Sequence, residues 1–238
     1  MTSHPKTPAE PATGMKPDED RDMTLRQRLA EMMTLRPLAY RELLDNVTQT
    51  LRSHALEQII ETGERLPDFV LPDARGNLVF SHDLLARGPL VMVFFRGDWC
   101  PFCKTTLMAL NRILPEIEAM GASLVALTFD TGTYVASDWQ GLKLDFPVLS
   151  DVDGGTALAL GTIYRVPDAL RRFYETISID VGIRHGNETW FLPIPSTLVM
   201  DSNGIVRHVH ASGDVTDRME PRDIVTSVRQ VVSLPADD

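Results

Sequence analysis

Cysteine is scarce in this sequence: 238 residues include two, at positions 100 and 103. A disulfide between such close neighbours closes only a very short loop and adds little stability to a domain of this size. A structural disulfide framework is therefore excluded, and we expect Cys100 and Cys103 to have a chemical role. Burial as two small apolar side chains is the alternative.

The sequence also lacks a long apolar run and an excess of positive charge. Its longest strongly apolar segment, residues 90–95, is far shorter than the ~20 residues of a membrane helix. Residues 1–22 are polar and proline-rich, without the apolar stretch of a secretory signal, so we expect a disordered tail there and a cytoplasmic protein. The net charge of −10 repels phosphate backbones. We expect neither membrane nor nucleic acid as a partner.

The chain after this tail has the pattern of helices. Thr24 and Gln27 form a capping-box pattern in front of apolar residues at helical spacing. A second amphipathic run begins after Pro37 and is expected to stop at Gly63. We interpret residues 23–63 as an N-terminal helical extension that packs on the main domain, with a homodimer contact as the alternative. The apolar stripe of the second helix comprises Leu43, Val47, Leu51, Ala55 and Ile59.

From residue 64 onward the pattern alternates between strands and helices. Continuous apolar runs predict buried strands over 90–95 and 123–129, joined by a helix over 103–120 with a kink at Pro115. The cysteines then lie at a strand-to-helix junction, where α/β folds commonly place their chemistry. The other predicted segments are strands at 68–71, 78–80 and 146–149, helices at 134–140, 156–160 and 221–232, a hairpin of 197–201 with 205–210, and an irregular stretch over 162–192.

A cysteine in the first turn of a helix meets unpaired backbone N–H groups and the positive end of the helix dipole. Both favour its thiolate and should lower its pKa. A second sulfur three residues later can then close an intramolecular disulfide after the first has reacted. Arg96 is a candidate to stabilise the thiolate, with a solvated arginine as the alternative. Trp99 and Phe102 flank the sulfurs and are expected to shield them, with direct substrate contact as the alternative.

Two other patterns are weighed against this interpretation. A zinc site would need further ligands beside the two cysteines, and the candidates are His208 and His210, which share one face of a strand. Because a second cysteine pair is missing, we expect no metal and no cofactor. The residues Ser81, His82 and Asp83 are adjacent in sequence and cannot form a catalytic triad, so we interpret them as a helix cap.

Three segments together resemble the peroxiredoxin-like branch of the alkyl hydroperoxide reductase/thiol-specific antioxidant (AhpC/TSA) family. They are Asp-Phe-Val-Leu-Pro-Asp at 68–73, Phe-Arg-Gly-Asp-Trp-Cys-Pro-Phe-Cys at 95–103, and Ile-Pro-Ser-Thr-Leu-Val-Met-Asp at 194–201. The resemblance covers about residues 64–233. It implies an α/β thioredoxin-like domain over 64–235, with a central mixed β-sheet flanked by helices. It also implies a cis Pro195 facing the active site.

The sequence departs from the family's Pro-x-x-x-Thr-x-x-Cys signature. Arg96 stands at the proline position, Cys100 at the threonine position and Cys103 at the peroxidatic position. The arginine that the family places near the late strand falls at about Pro195. Arg96 is then the candidate substitute for the missing peroxide-activating groups. The Cys-Pro-Phe-Cys segment, with Pro101 between the cysteines, also resembles a glutaredoxin site.

Three functions stay open at this point. In the first, Cys103 attacks a hydroperoxide and becomes a sulfenic acid, Cys100 condenses with it, and a thioredoxin-like or low-molecular-weight thiol reduces the disulfide. In the second, Cys100 attacks a protein disulfide and Cys103 resolves the mixed disulfide. The third is a non-enzymatic redox sensor. The position at the start of the helix favours Cys100 as the attacking sulfur, and alignment with the family's signature favours Cys103.

Overall fold

The computed structural model describes residues 23–136 and 143–234. The tail predicted over residues 1–22 and the second half of the helix predicted over 134–140 lie outside the described residues. Within the described ranges, every helix is too short or too polar to cross a membrane.

Helices and strands follow one another in mixed order along the described residues. The helices are α1 Leu25–Thr34, α2 Leu38–His54, α3 Ser81–Leu85, α4 Pro101–Ala119, α5 Thr133–Ala136, α6 Gly155–Ala159, α7 Asp168–Thr176, α8 Val181–His185 and α9 Pro221–Val232. The strands are β1 Val70–Pro72, β2 Leu78–Phe80, β3 Leu90–Phe94, β4 Ser123–Thr128, β5 Val148–Ser150, β6 Ile163–Arg165, β7 Phe191–Pro193, β8 Ser196–Met200 and β9 Val206–Ala211.

A mixed sheet of five strands, in the order β5-β4-β3-β8-β9, forms the centre of the fold. Strand β3 pairs in parallel with β4 and antiparallel with β8. All five residues of β3 are buried, as expected for a strand covered on both faces. The predicted unit of strand, helix and strand is therefore confirmed as β3-α4-β4, and the predicted late hairpin is β8-β9.

The N-terminal helices pack on this domain. Thr24 caps α1 through the predicted capping box with Gln27, and the carboxylate of Glu220 also accepts the N–H groups of Leu25 and Arg26 at 3.0 and 2.9 Å. Three residues of the predicted stripe, Val47, Leu51 and Ile59, are buried in the main core, and Leu43 and Ala55 are partly buried against it. Tyr40 and Leu44 of α2, outside the predicted stripe, are buried there too. The apolar face of α2 thus packs on the main domain of the same chain, which is the first of the two interpretations of the sequence.

The end predicted for the second helix at Gly63 is wrong. Helix α2 ends at His54, and a short 3₁₀ helix over Leu56–Gln58 follows. The physical reason is that backbone N–H groups after His54 bind carbonyl groups in distant parts of the chain. The N–H groups of Ile60 and Gly63 bind the carbonyls of Leu160 and Val206, and tertiary hydrogen bonds thus replace helical ones.

Three further expectations are corrected by the structure. Residues 162–192 are largely regular, because β6 pairs with β7 and the segment between them contains α7 and α8. Ser81 does not cap α3: it is the first residue of that helix, and its hydroxyl accepts the N–H of Phe69 at 3.1 Å. Pro195 follows a trans peptide bond, since no cis bond occurs in the described residues.

The helix predicted over residues 103–120 is α4. It starts two residues earlier than predicted, at Pro101, and continues through Pro115 to Ala119.

Candidate active site

The site begins where β3 ends and the chain turns into α4. Gly97 makes this turn possible, with a φ of +140° that other residues rarely adopt. A Cβ atom on Gly97 would lie 2.5 Å from the Trp99 ring nitrogen and 2.7 Å from a carboxylate oxygen of Asp130. The turn brings the side chain of Arg96 back against Cys100, which is the N-cap residue of α4.

Cys100 is fully buried, and its sulfur accepts hydrogen bonds from Arg96 and from Cys103. Nη2 of Arg96 donates at 3.0 Å, and the backbone N–H of Cys103 donates at 3.4 Å. Burial by itself acts to raise the pKa of Cys100. The hydrogen bond from the Cys103 thiol and the positive charge of Arg96 outweigh it and lower the pKa to about 5. Cys100 is therefore a thiolate at neutral pH.

Cys103 lies one turn further along α4 and is equally buried. Burial raises its pKa well above the ordinary value, and its hydrogen bond to the negative sulfur of Cys100 raises it further. Cys103 therefore stays a neutral thiol that donates to Cys100. The hydrogen bonds from Arg96 and from the Cys103 N–H thus favour placing the negative charge of the reduced pair on Cys100.

Arg96 is itself held in place by a buried tyrosine. Its Nη1 donates to the hydroxyl of Tyr174 on α7 at 2.9 Å, and the guanidinium lies 5.2 Å from the centre of the Trp99 ring. Tyr174 is not among the site residues predicted from the sequence, because residues 162–192 are expected there to be irregular. Leu170, Phe173 and Tyr174 at helical spacing are the signal that could have identified α7.

The other predicted site residues lie in the same turn, in the first turn of α4 or just before β8. Trp99 packs edge-on against Tyr174 at 5.1 Å between ring centres, and Phe102 is fully buried. Pro101 is the first residue of α4, where its missing N–H costs nothing. Pro195 precedes β8, whose Ser196 pairs with Phe94, so it lies at the same edge of the sheet as the Arg96 turn.

An ion-pair cluster, buried at Asp130 and partly buried at Arg184 and Asp98, ties this turn to the rest of the domain. Nη2 of Arg184 contacts Asp98 in the turn and also pairs with Asp130 after β4 at 2.7 Å. Burial raises the pKa of Asp130 to about 6, even though Arg184 acts to lower it. No sequence pattern points to this cluster, because its members come from three separate segments.

The zinc alternative gains no support from the described residues. His208 and His210 both lie on β9 and pair with Val199 and Thr197. In the described parts of the chain, no group of three or more histidine, cysteine or acidic side chains is arranged to hold a metal ion.

Comparison with known sequences reveals similarity to two kinds of thiol protein. The chain is 30% identical over 108 residues to the thiol-disulfide oxidoreductase ResA of Bacillus thuringiensis, covering 45% of this chain and 61% of that protein. It is 25% identical over 157 residues to peroxiredoxin 2 of Thermoplasma acidophilum, covering 63% of this chain and 74% of the relative. The match to ResA thus spans about three fifths of that protein's length.

Solved structures establish the fold. The crystal structure of peroxidoxin BcpB from Mycobacterium tuberculosis superposes with a TM-score of 0.57 at 24% identity, covering 72% of this chain and 98% of that one. A bacterioferritin comigratory protein of Xanthomonas campestris gives a TM-score of 0.55 at 19% identity, covering 73% and 100%. The domain therefore has the expected α/β thioredoxin-like fold.

The family model described as AhpC/TSA matches residues 62–209. The matched region includes the Arg96 turn, both cysteines and β8, and it extends over more than half of the chain. The sequence resemblance and the fold agree with this match, and the chain belongs to the AhpC/TSA family.

Proposed function

We propose that the protein is a thiol peroxidase in which Cys100 attacks a hydroperoxide and Cys103 resolves the product as a disulfide. The observation that carries this proposal is the buried guanidinium of Arg96, 3.0 Å from the Cys100 sulfur. Alignment with the family's signature places Cys103, not Cys100, at the position of the attacking cysteine. The hydrogen bonds that Arg96 and the Cys103 N–H donate to the Cys100 sulfur favour a thiolate there, and because the thiolate is the nucleophilic form they support assigning the attack to Cys100 instead.

The first step transfers an oxygen atom to sulfur. The Cys100 thiolate attacks the terminal oxygen of ROOH, an S–O bond forms, the O–O bond breaks, and RO⁻ leaves to take a proton as ROH. Arg96 can donate to the oxygens as negative charge moves onto them, since its guanidinium already lies against the sulfur. Cys100 is thereby oxidised to a sulfenic acid.

The second step forms a disulfide between Cys103 and Cys100. The sulfur of Cys103 attacks the Cys100 sulfur, an S–S bond forms, and the S–O bond breaks. The proton of the Cys103 thiol leaves with the hydroxide as water. An external dithiol, such as a thioredoxin-like protein, or two low-molecular-weight thiols then reduce the disulfide, so that the cycle needs no bound cofactor.

Burial favours a small oxidant over a protein disulfide. Neither sulfur has appreciable exposed surface, since Cys100 is 0% and Cys103 1% exposed. A hydroperoxide brings only its terminal oxygen to the Cys100 sulfur, whereas a protein disulfide must bring a whole chain up to it.

Reduction of disulfides is the second candidate. It is favoured by the low pKa of Cys100 at the start of α4 and by the similarity to ResA, a thiol-disulfide oxidoreductase by name. In that cycle Cys100 would attack a disulfide sulfur and Cys103 would release the mixed disulfide.

Steady-state turnover separates the two candidates. The wild-type protein is supplied with dithiothreitol and either cumene hydroperoxide or a disulfide-linked peptide, with C100S as the control. Consumption of the hydroperoxide that is lost in C100S supports the proposal. Reduction of the peptide disulfide that is lost in C100S, without consumption of the hydroperoxide, would favour the second candidate.

A further inference from the structure

The N-terminal extension places an aromatic side chain next to the active site. Tyr40 lies in the first turn of α2, where its N–H donates to the carbonyl of Pro37 at 3.0 Å. It is only 7% exposed and belongs to the main core. In the sequence it precedes residues 62–209, the part of the chain that matches the family. Tyr40 is therefore a contribution of the extension to the core of the family domain.

Tyr40 packs on two neighbouring rings of α7. Its ring stacks on that of Phe173 with 5.0 Å between centres and an angle of 19°, and it lies 6.4 Å from the ring of Tyr174 at 57°. These separations are typical of favourable aromatic pairs. Tyr174 also packs edge-on against Trp99. The ring of Tyr174 thus has one aromatic neighbour from the extension and another from the active-site turn.

The position of the Tyr174 ring determines where its hydroxyl meets Arg96. That hydroxyl accepts a hydrogen bond from Nη1 of Arg96 at 2.9 Å, and Nη2 of the same guanidinium donates to the Cys100 sulfur at 3.0 Å. Because a guanidinium is planar and its N–H groups have fixed directions, the two hydrogen bonds are geometrically linked. A shift of the Tyr174 hydroxyl therefore disturbs the hydrogen bond to Cys100.

We propose that Tyr40 is a positioning residue of the active site: its ring fixes the ring of Tyr174, so that Arg96 is held against the Cys100 sulfur. The inference rests on the proposed function for its consequence, since the Cys100 thiolate is the group that attacks the hydroperoxide. If Tyr40 only filled space in the core, a leucine in its place would change stability and leave the Cys100 thiolate as it is.

The test follows the ionisation of Cys100 in the reduced protein. The other titratable and charged groups that face Cys100 or Arg96 are Cys103, Tyr40, Tyr164, Tyr174 and Arg218. Burial raises the pKa of Tyr164 to about 12 and that of Tyr174 well above the ordinary value. These two hydroxyls therefore stay neutral over the range of the measurement.

Y40L keeps a buried apolar side chain and removes the ring. Cys100 is alkylated with iodoacetamide from pH 4 to 9 and the product is measured by mass spectrometry. We expect a midpoint about half a unit above that of the wild type, which is about a threefold change in thiolate fraction. Y40F keeps the ring and should have the wild-type midpoint. In R96M, the addition of Y40L should cause no further shift, because the arginine through which Tyr40 acts is gone.

Two further variants separate positioning from packing. L51A is the matched control, because Leu51 is buried on the same helix about three turns beyond Tyr40, against Gly213. It should lower the free energy of unfolding in urea and leave the midpoint unchanged. F173L removes the other ring of the stack at a partly buried position, and it serves if Y40L does not fold. It should shift the midpoint in the same direction as Y40L.

An unchanged midpoint in Y40L, or in F173L where Y40L does not fold, would overturn the inference. Equal shifts in Y40L and L51A, a shift by Y40L that persists in R96M, or a Y40F midpoint equal to that of Y40L would also contradict it. Alkylation does not require turnover of a peroxide, so this result is independent of the proposed function. Absence of sulfenic acid on Cys100 in C103S treated with hydrogen peroxide would instead reject the peroxidase function.

Discussion

Arg96 and Cys100 are four positions apart in the sequence, and the turn at Gly97 lets the guanidinium reach back to the sulfur. The sequence predicted that Arg96 could assist a thiolate, because it follows a buried strand and precedes the cysteines. It could not predict that Arg96 would be fully buried or that Tyr174 would hold it. That contact joins residues far apart in the chain.

The pKa of Cys100 is the first prediction at this scale. Alkylation of Cys100 by iodoacetamide, followed by mass spectrometry, should show a pH midpoint near 5. Loss of the guanidinium in R96M should raise the midpoint by more than about one unit, because the positive charge is a main cause of the lowered pKa. The exposed Arg229 provides the control variant R229M, which should leave the midpoint unchanged. An R96M midpoint near 5 would exclude this role of Arg96.

Tyr174 gives a second prediction. Y174F removes the acceptor of Arg96 Nη1 and leaves a buried charged donor unsatisfied, which costs about 1–3 kcal/mol. We expect a loss of that size in the free energy of unfolding in urea, together with slower formation of the Cys100 sulfenic acid. An unchanged rate of sulfenic acid formation would show that Tyr174 supports the fold without positioning Arg96 for the reaction.

Among the elements, most strands and helices outside residues 162–192 were predictable, and those within that stretch were not. The apolar pattern and punctuating residues predict β3, α4, β4, the β8-β9 hairpin and α9. Helix α7 was not assigned from the sequence, although Leu170, Phe173 and Tyr174 stand at helical spacing within that stretch. The early end of α2 also escaped, since it depends on backbone hydrogen bonds to distant segments.

The cluster that joins the active-site turn to α8 and β4 carries a prediction about elements. R184M removes the shared partner of Asp98 and Asp130 and leaves the buried carboxylate of Asp130 without its arginine, a change that typically costs about 3–5 kcal/mol. We expect a loss of this order in urea unfolding. R229M is the matched control: it removes an exposed partner of Glu116, and such pairs contribute about 1 kcal/mol or less. Equal effects of the two substitutions would contradict the assignment.

For the whole molecule, the thiolate links stability to pH. The pKa of Cys100 is lower in the folded chain than the ~8.5 of an ordinary thiol. Its ionisation therefore stabilises the fold fully above pH ~8.5, and this contribution is lost as the pH falls through about 5.

The comparison of reduced wild type with C100S isolates this contribution. Asp130 and His185 also titrate in the acid range, but both proteins contain them, so their effects cancel in the difference. The advantage of wild type in urea unfolding, measured with a phosphine reductant, should shrink steadily from pH 9 to pH 5. A difference that does not change with pH would contradict a thiolate in the folded state.

The identity of the sulfur that receives oxygen tests the central claim most directly. C103S and C100S are each treated with one equivalent of hydrogen peroxide in the presence of dimedone, and the adducts are located by peptide mass spectrometry. We expect an adduct on Cys100 in C103S and almost none on Cys103 in C100S. An adduct on Cys103 in C100S, with none on Cys100 in C103S, would contradict the account. It would show that Cys103 attacks the peroxide, as alignment with the family's signature predicts.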